Sequence, residues 1–209
     1  MALVWKILAC LVIGYLLGCL NGALVISKLG MHEDIREKGS GNAGLTNFIR
    51  SYGSWKALLV IVIDLGKIVL ACALASLILP TQKDLAKILA GAAAQIGHIF
   101  PAFFGWRGGK GILCSAGLAV AMDWRIFAIA FPLFVIIVVT THYVSLGSMA
   151  ATLCYAVLFV VFFTEQPAVW GIALFMSALA IFMHRNNIVR LLRGTENKTY
   201  LHHSKQSEA

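Results

Sequence analysis

Apolar residues run through this chain in long unbroken blocks instead of alternating or recurring on one helical face. Between Lys6 and Lys28 lie 21 residues without a charge. A second block over residues 55–79 is interrupted only by Lys56, Asp64 and Lys67. A third, of 19 residues, lies between Lys87 and Arg107, and a shorter one of 11 covers 112–122. Then come 39 uncharged residues between Arg125 and Glu165, too long for one helix and divided by the polar patch Thr140-Thr141-His142-Tyr143 with Ser145, Gly147 and Ser148. A last run of 18 lies between Glu165 and His184 and opens after Pro167. A helix needs about 20 predominantly apolar residues to cross a bilayer core. The pattern therefore predicts an all-α integral membrane protein forming one polytopic domain of seven transmembrane helices. They span residues 4–27, 55–79, 85–104, 110–122, 125–140, 145–163 and 167–184, followed by a tail over 185–209. The fourth is short enough that it must tilt or thin the bilayer.

Composition narrows this further. Hydrophobic residues make up 60% of the 209 and charged residues 12%, with a mean hydropathy of +0.85. A soluble domain carries about 25% charge, so both a soluble globule and a disordered chain are excluded. The net charge of +8 is unevenly placed. With seven spans, one side receives Lys28, Arg36, Lys38, Arg50, Lys56, Arg107, Lys110, Arg185, Arg190, Arg193, Lys198 and Lys205, twelve of the seventeen cations. The positive-inside rule makes that side cytoplasmic, putting the N-terminus outside and the C-terminus inside. The first apolar region is too long for a signal peptide and reads as a retained helix. Cys10, Cys19, Cys72, Cys114 and Cys154 all fall in apolar spans without ligand spacing, which predicts packing and no disulfide.

Polar residues that hydrocarbon cannot explain collect in short loops on the cytoplasmic side. The first reads Gly39-Ser-Gly-Asn-Ala-Gly-Leu-Thr-Asn-Phe-Ile-Arg50. It matches G-x-G-x-x-G literally, yet no strand precedes it, so the dinucleotide reading fails. What remains is a loop whose glycines can bring N–H groups to an anion at a helix starting around Thr46; a plain connector is the simpler alternative. The second runs from Gly97-His98 through Pro101 to Arg107-Gly-Gly-Lys-Gly111. A Walker A loop needs Gly where Phe104 stands and Ser or Thr where Gly111 stands. The doubly basic glycine loop nonetheless suits a phosphate, against the alternative of snorkelling interfacial cations. The third, His184-Arg-Asn-Asn187-Ile with Arg190, Arg193, Gly194 and Glu196, reads as a span end followed by a short amphipathic surface helix. His184 and Asn187 share one face. Within the second span Asp64 and Lys67 also share a face and read as a mutually neutralising structural pair, and Asn21 as interhelical glue.

No metal-ligand cluster and no paired carboxylates occur in these loops, and Glu196 is their only acid. No metal, cofactor or nucleic acid is expected. A site rich in cations and poor in bases, placed against lipid, fits a doubly anionic soluble substrate meeting an acyl-bearing one. A transporter of a phosphorylated metabolite is the alternative. It would place polar groups at mid-membrane in repeated halves, whereas here they gather at one edge.

In order and spacing, residues 40–50, Gly97-His98-Ile-Phe-Pro101, Arg107-Gly-Gly-Lys-Gly111, Tyr143-Val-Ser-Leu-Gly-Ser148 and His184-Arg-Asn-Asn187-Ile resemble the motifs of the bacterial acyl-phosphate:glycerol-3-phosphate acyltransferases. The resemblance covers nearly the whole chain, including Asp64-x-x-Lys67. It implies acyl transfer from acyl phosphate to the 1-hydroxyl of glycerol 3-phosphate, giving lysophosphatidate and phosphate, at the cytoplasmic side of the inner membrane. It implies catalytic roles for Arg50, His98, Lys110 and Asn187. Substrate or phosphate binding would fall to Ser40, Gly41, Asn42, Gly44, Thr46, Asn47, Gly108, Gly109, Gly111, Ser145 and His184, with the Gly41 and Gly109 backbones cradling phosphates. A substrate phosphate would take the hydroxyl proton. Membrane lipid surrounds such an enzyme, and a soluble acyl-phosphate-forming enzyme is its candidate partner. Ala43, Leu45 and Ile68 depart from the family's usual residues.

Overall fold

In hydrocarbon every backbone polar group must be satisfied within the chain, and the apolar blocks accordingly fold as helices. A computed structural model describes residues 1–199; the last part of the tail, with Lys205, lies outside the described residues. Among the described residues there is no β-strand. The α-helices are α1 (Ala2–Cys19), α2 (Gly22–Val25), α3 (Leu45–Tyr52), α4 (Ser54–Ile78), α5 (Lys83–Ile99), α6 (Ile112–Met122), α7 (Trp124–Thr141), α8 (Val144–Phe162), α9 (Pro167–Met183) and α10 (Arg185–Leu192).

Four of these, α4, α5 extended to Phe104, α7 and α8, are individually long and apolar enough to cross a bilayer. Two bent pairs raise the number to six. In the first, α1 breaks after Cys19 and restarts at a 43° angle. Asn21 causes the restart: its side-chain oxygen accepts a hydrogen bond from Leu24 N and caps α2. In the second, α9 turns by 53° at His184 into α10. The remaining apolar helix, α6, has 11 residues and is about 16 Å long, about half a hydrocarbon core.

Helix association in lipid depends on close packing of small residues and on polar contacts. Both operate here. Gly14 and Gly18 of α1 lie so close to Ala90 and Ala94 of α5 that a Cβ on either glycine would collide with the α5 backbone. The ascending register of those pairs makes α1 and α5 parallel. Gly22 against Val60 and Cys10 against Ala75 run in opposite order, so α4 is antiparallel to α1. Gly91 packs on Leu118 and Gly111 on Gln95, which sets α6 antiparallel to α5. The main core lies among α1, α4, α5, α6, α8 and α9 with Ile126 at the start of α7, and four of the five cysteines are buried as small apolar fillers. Val62, Leu77, Val157 and Phe175 are more than half exposed, as a lipid-facing surface requires. These directions bring the end of α1, the end of α5, the start of α6, the start of α8 and the end of α9 to one end of the bundle.

Candidate active site

The polar side chains at that end form two clusters joined by the glycine loop 107–111. The first is fully buried and centres on His98, at the last turn of α5. Asp64 Oδ1 accepts from Lys67 Nζ at 2.7 Å and from Gly22 N at 3.0 Å, and lies 3.3 Å from His98 Nδ1. Lys67 Nζ also donates to Gly18 O at 3.1 Å and Leu20 O at 3.2 Å, carbonyls freed where α1 breaks. Asn21 Nδ2 donates to Ala43 O at 3.1 Å and reaches His98 O at 3.4 Å. His98 Nδ1 meets all three groups, lying 3.0 Å from Lys67 Nζ and 3.3 Å from both Asn21 Nδ2 and Asp64 Oδ1, and Nε2 packs against Gly109, where a Cβ would collide with it.

Asp64 and Lys67 are buried as an ion pair and Asn21 bridges neighbouring segments, and their position is more specific than charge neutralisation or glue. They orient a candidate catalytic histidine and tie the first glycine loop to the second. Spacing pairs Asp64 with Lys67, but nothing in the spacing brings that pair and Asn21 to His98.

Both glycine loops are shaped by their own hydrogen bonds. Asn47 Oδ1 accepts from Ser40 N at 2.8 Å, while its Nδ2 donates to Lys38 O at 3.0 Å and Ile35 O at 3.2 Å. Its carboxamide therefore holds the loop closed, and Gly39 and Gly41 turn at φ of 55° and 72° to wrap around it. Asn42, Gly44 and Thr46 lie half-buried at the start of α3, and Ser40 is exposed. The expected cradle of glycine N–H groups takes a different form. Gly41 N donates to Lys38 O, Gly44 N to Asn42 O, Gly108 N to Ile99 O and Gly109 N to His98 O. These glycines permit close backbone packing; beside them stand Lys110 and the N-terminus of α6, whose cap Gly111 has a φ of 82° and offers no side chain.

The second cluster is half-buried. The Lys110 ammonium bonds to Asn187 Oδ1, and Asn187 Nδ2 donates to Glu196 at 2.6 Å. Glu196 also accepts from Ser145 Oγ at 2.8 Å and Arg190 Nε at 2.7 Å. Arg50 donates to Thr199 Oγ1 at 2.8 Å and Asn197 O at 3.3 Å, and so holds the start of the tail beside them. His184, 2% exposed, sits at the α9–α10 bend with Nδ1 2.8 Å from Ala180 O. Burial pushes the Lys110 ammonium down to about 8; Glu196 opposes that shift, and Arg190 and Arg50 add to it. Burial likewise lowers Arg50. Burial alone would raise Glu196, but the bonds from Asn187, Arg190 and Ser145 outweigh it and hold the carboxylate below its ordinary range.

Three cations, Lys110, Arg50 and Arg190, thus face a single carboxylate. Arg190 and Glu196 were not among the predicted site residues; their spacing on a surface helix and tail shows only an amphipathic end. Arg185 has the opposite fate, turning away to lie 4.7 Å over the Phe182 ring. Among the described residues no group of three or more His, Cys, Asp or Glu side chains could hold a metal.

Apolar helices that converge on a cation-rich, glycine-lined polar end define an integral membrane protein with a polar site suited to an anion. Comparison with known proteins gives the family. The model of the family described as "Glycerol-3-phosphate acyltransferase" matches residues 8–194. The chain is 38% identical over 187 residues to the glycerol-3-phosphate acyltransferase of Thermoanaerobacter sp. (strain X514), covering 90% of this chain and 92% of that protein. It is 39% identical over 188 residues to that of Geobacillus kaustophilus (strain HTA426), covering 90% and 93%. The crystal structure of PlsY (YgiH), an integral membrane glycerol 3-phosphate acyltransferase, in its glycerol 3-phosphate form superposes with a TM-score of 0.85 at 33% identity, covering 93% of this chain and 96% of that one. The lysophosphatidic acid form gives 0.82 at 32% identity, covering 93% and 95%. This chain belongs to the glycerol-3-phosphate acyltransferase family.

Proposed function

We propose that this protein transfers a fatty acyl group from acyl phosphate to the 1-hydroxyl of glycerol 3-phosphate. The C–O bond to the donor phosphate breaks, an ester bond to the glycerol oxygen forms, and the products are 1-acylglycerol 3-phosphate and inorganic phosphate. The observation that carries this reading is the excess of cations at the rim. With Glu196 subtracted from Lys110, Arg50 and Arg190, two positive charges remain for a phosphate dianion. The related PlsY structures contain glycerol 3-phosphate and lysophosphatidic acid, the acceptor and product of this reaction.

In this scheme Lys110 and Arg50 hold phosphate, Asn187, Ser145 and His184 line the acceptor side, and His98 orients the reacting groups beneath Gly109. Ser40, Asn42 and Thr46 border the first loop. The one carboxylate of the rim is committed to three donors, so a substrate phosphate takes the hydroxyl proton. The leaving phosphate is already an anion and needs no protonation. Electrostatic stabilisation by fixed donors supplies much of the rate. The acyl chain lies between helices, continuous with lipid, and the donor arrives from a soluble enzyme that forms acyl phosphate.

Counting α6 as a short seventh span and each bent pair as one gives an outside N-terminus and a cytoplasmic C-terminus. The site then lies on the cation-rich inner face of the bacterial inner membrane. The purified protein in lipid, given acyl phosphate, is expected to release phosphate only when glycerol 3-phosphate is present, and acyl-CoA is expected not to replace the donor. Phosphate release indifferent to glycerol 3-phosphate, or equal turnover with acyl-CoA, overturns the proposal.

A further inference from the structure

Beneath the second loop lies a group that the proposed mechanism leaves unused. Gln95, on α5, is 0% exposed. Neither its Nε2 nor its Oε1 has a hydrogen-bond partner among the described residues. It stands three residues before His98 and therefore on the same face of α5. The two side chains support successive parts of one loop: His98 packs under Gly109 and Gln95 under Gly111. A Cβ on Gly111 would stand 2.8 Å from Gln95 Cγ and 2.9 Å from its Nε2. Gly111 is the N-cap of the 11-residue α6, holds a left-handed φ of 82° and offers no capping side chain. Its carbonyl is taken by Ser115, whose N donates at 2.8 Å and Oγ at 3.2 Å.

A buried carboxamide without partners is costly, and an apolar residue of similar shape would avoid the cost. Its location, under the loop that carries Lys110 and at a helix N-terminus suited to anions, gives it a use. We propose that Gln95 is a positioning residue of the phosphate-holding loop. Its carboxamide engages the Lys110–Gly111 peptide unit in the substrate-bound arrangement, aiming Lys110 and the α6 N-terminus at a phosphoryl oxygen. The amide's hydrogen bonds are completed by binding, so part of the binding energy comes from relieving an unpaired group. This inference rests on the proposed function only in taking a phosphoryl group as the ligand.

The thermodynamic consequence separates this role from ordinary packing. Gln95→Met and Gln95→Leu remove the polar atoms at similar volume. Both variants are expected to raise the melting temperature of the ligand-free protein in detergent or lipid. Both are also expected to shrink the stabilisation that glycerol 3-phosphate gives, weaken its apparent binding and lower kcat/KM by about 10- to 100-fold. Inorganic phosphate and acyl phosphate serve as parallel probes, and the one whose binding weakens most identifies the phosphoryl group that the loop holds. A residue that only packs would leave every ligand-induced shift and KM at the wild-type value. That result overturns the inference, as does a lower melting temperature for both variants, which would mean the amide is already paired. Failure of the wild-type protein itself to respond to glycerol 3-phosphate would instead overturn the proposed function.

Discussion

The two polar clusters at the loop-bearing end of the bundle differ in what remains after their hydrogen bonds are made. Around His98, one carboxylate, one ammonium and one amide are surrounded by carbonyls of the broken α1 and the first glycine loop, and each donor has an acceptor. Around Asn187, three cations share one carboxylate and Lys110 keeps partial contact with solvent. A satisfied, buried cluster fixes geometry, whereas a cluster with surplus charge can bind an anion. On the proposed function, the first is the scaffold that orients His98 and the second is the place where an anion is held.

Removing a charge from each cluster distinguishes these roles. The largest effect is expected from Asp64→Asn, which leaves the buried Lys67 ammonium uncompensated and costs about 3–5 kcal/mol. Thermal unfolding in detergent measures it, and the double change Asp64→Asn with Lys67→Met should recover most of the loss. Next comes Lys110→Ala, with little change in melting temperature and a fall in kcat/KM of about 10- to 100-fold, as expected for one charged hydrogen bond. A larger stability loss for Lys110→Ala than for Asp64→Asn would reverse the comparison.

A smaller and graded effect comes from pH. Lys110 is protonated below about 8 and neutral above it. The KM for glycerol 3-phosphate should therefore rise as pH passes about 8 and stay level below it until the substrate phosphate itself gains a proton near about 6. Lys110→Arg, whose guanidinium does not titrate in this range, should flatten the profile. The smallest effect is expected at the exposed Lys38–Glu33 pair, 2.6 Å apart but open to solvent. There Lys38→Ala should leave both melting temperature and turnover unchanged.

Much of this architecture is legible in the chain because hydrocarbon imposes a simple rule on length and polarity. Helices α4, α7, α8 and α9 begin and end within a residue or two of where the apolar blocks do. The break after Cys19 is harder to read, since Asn21 is a single polar residue in a 21-residue uncharged run and its capping role depends on which groups surround it. The rim shows the same limit. Lys110, Asn187 and Ser145 stand out by their glycine and Asn neighbours, but Arg190 and Glu196 resemble an ordinary amphipathic end until the tail folds back over Arg50.

By itself, then, the sequence determined that this is a helical membrane protein whose surplus positive charge gathers at the ends of its spans. Chain-local properties decide that much: segment length, hydropathy and the sign of flanking charges. The tertiary structure alone decided which charges cancel and which remain. Asp64 neutralises Lys67 in a buried cluster, and Glu196 leaves Lys110 and Arg50 in excess, because residues far apart in the chain meet where parallel and antiparallel helices end together. Charge balance at a site is a property of those meetings, and periodicity does not encode them.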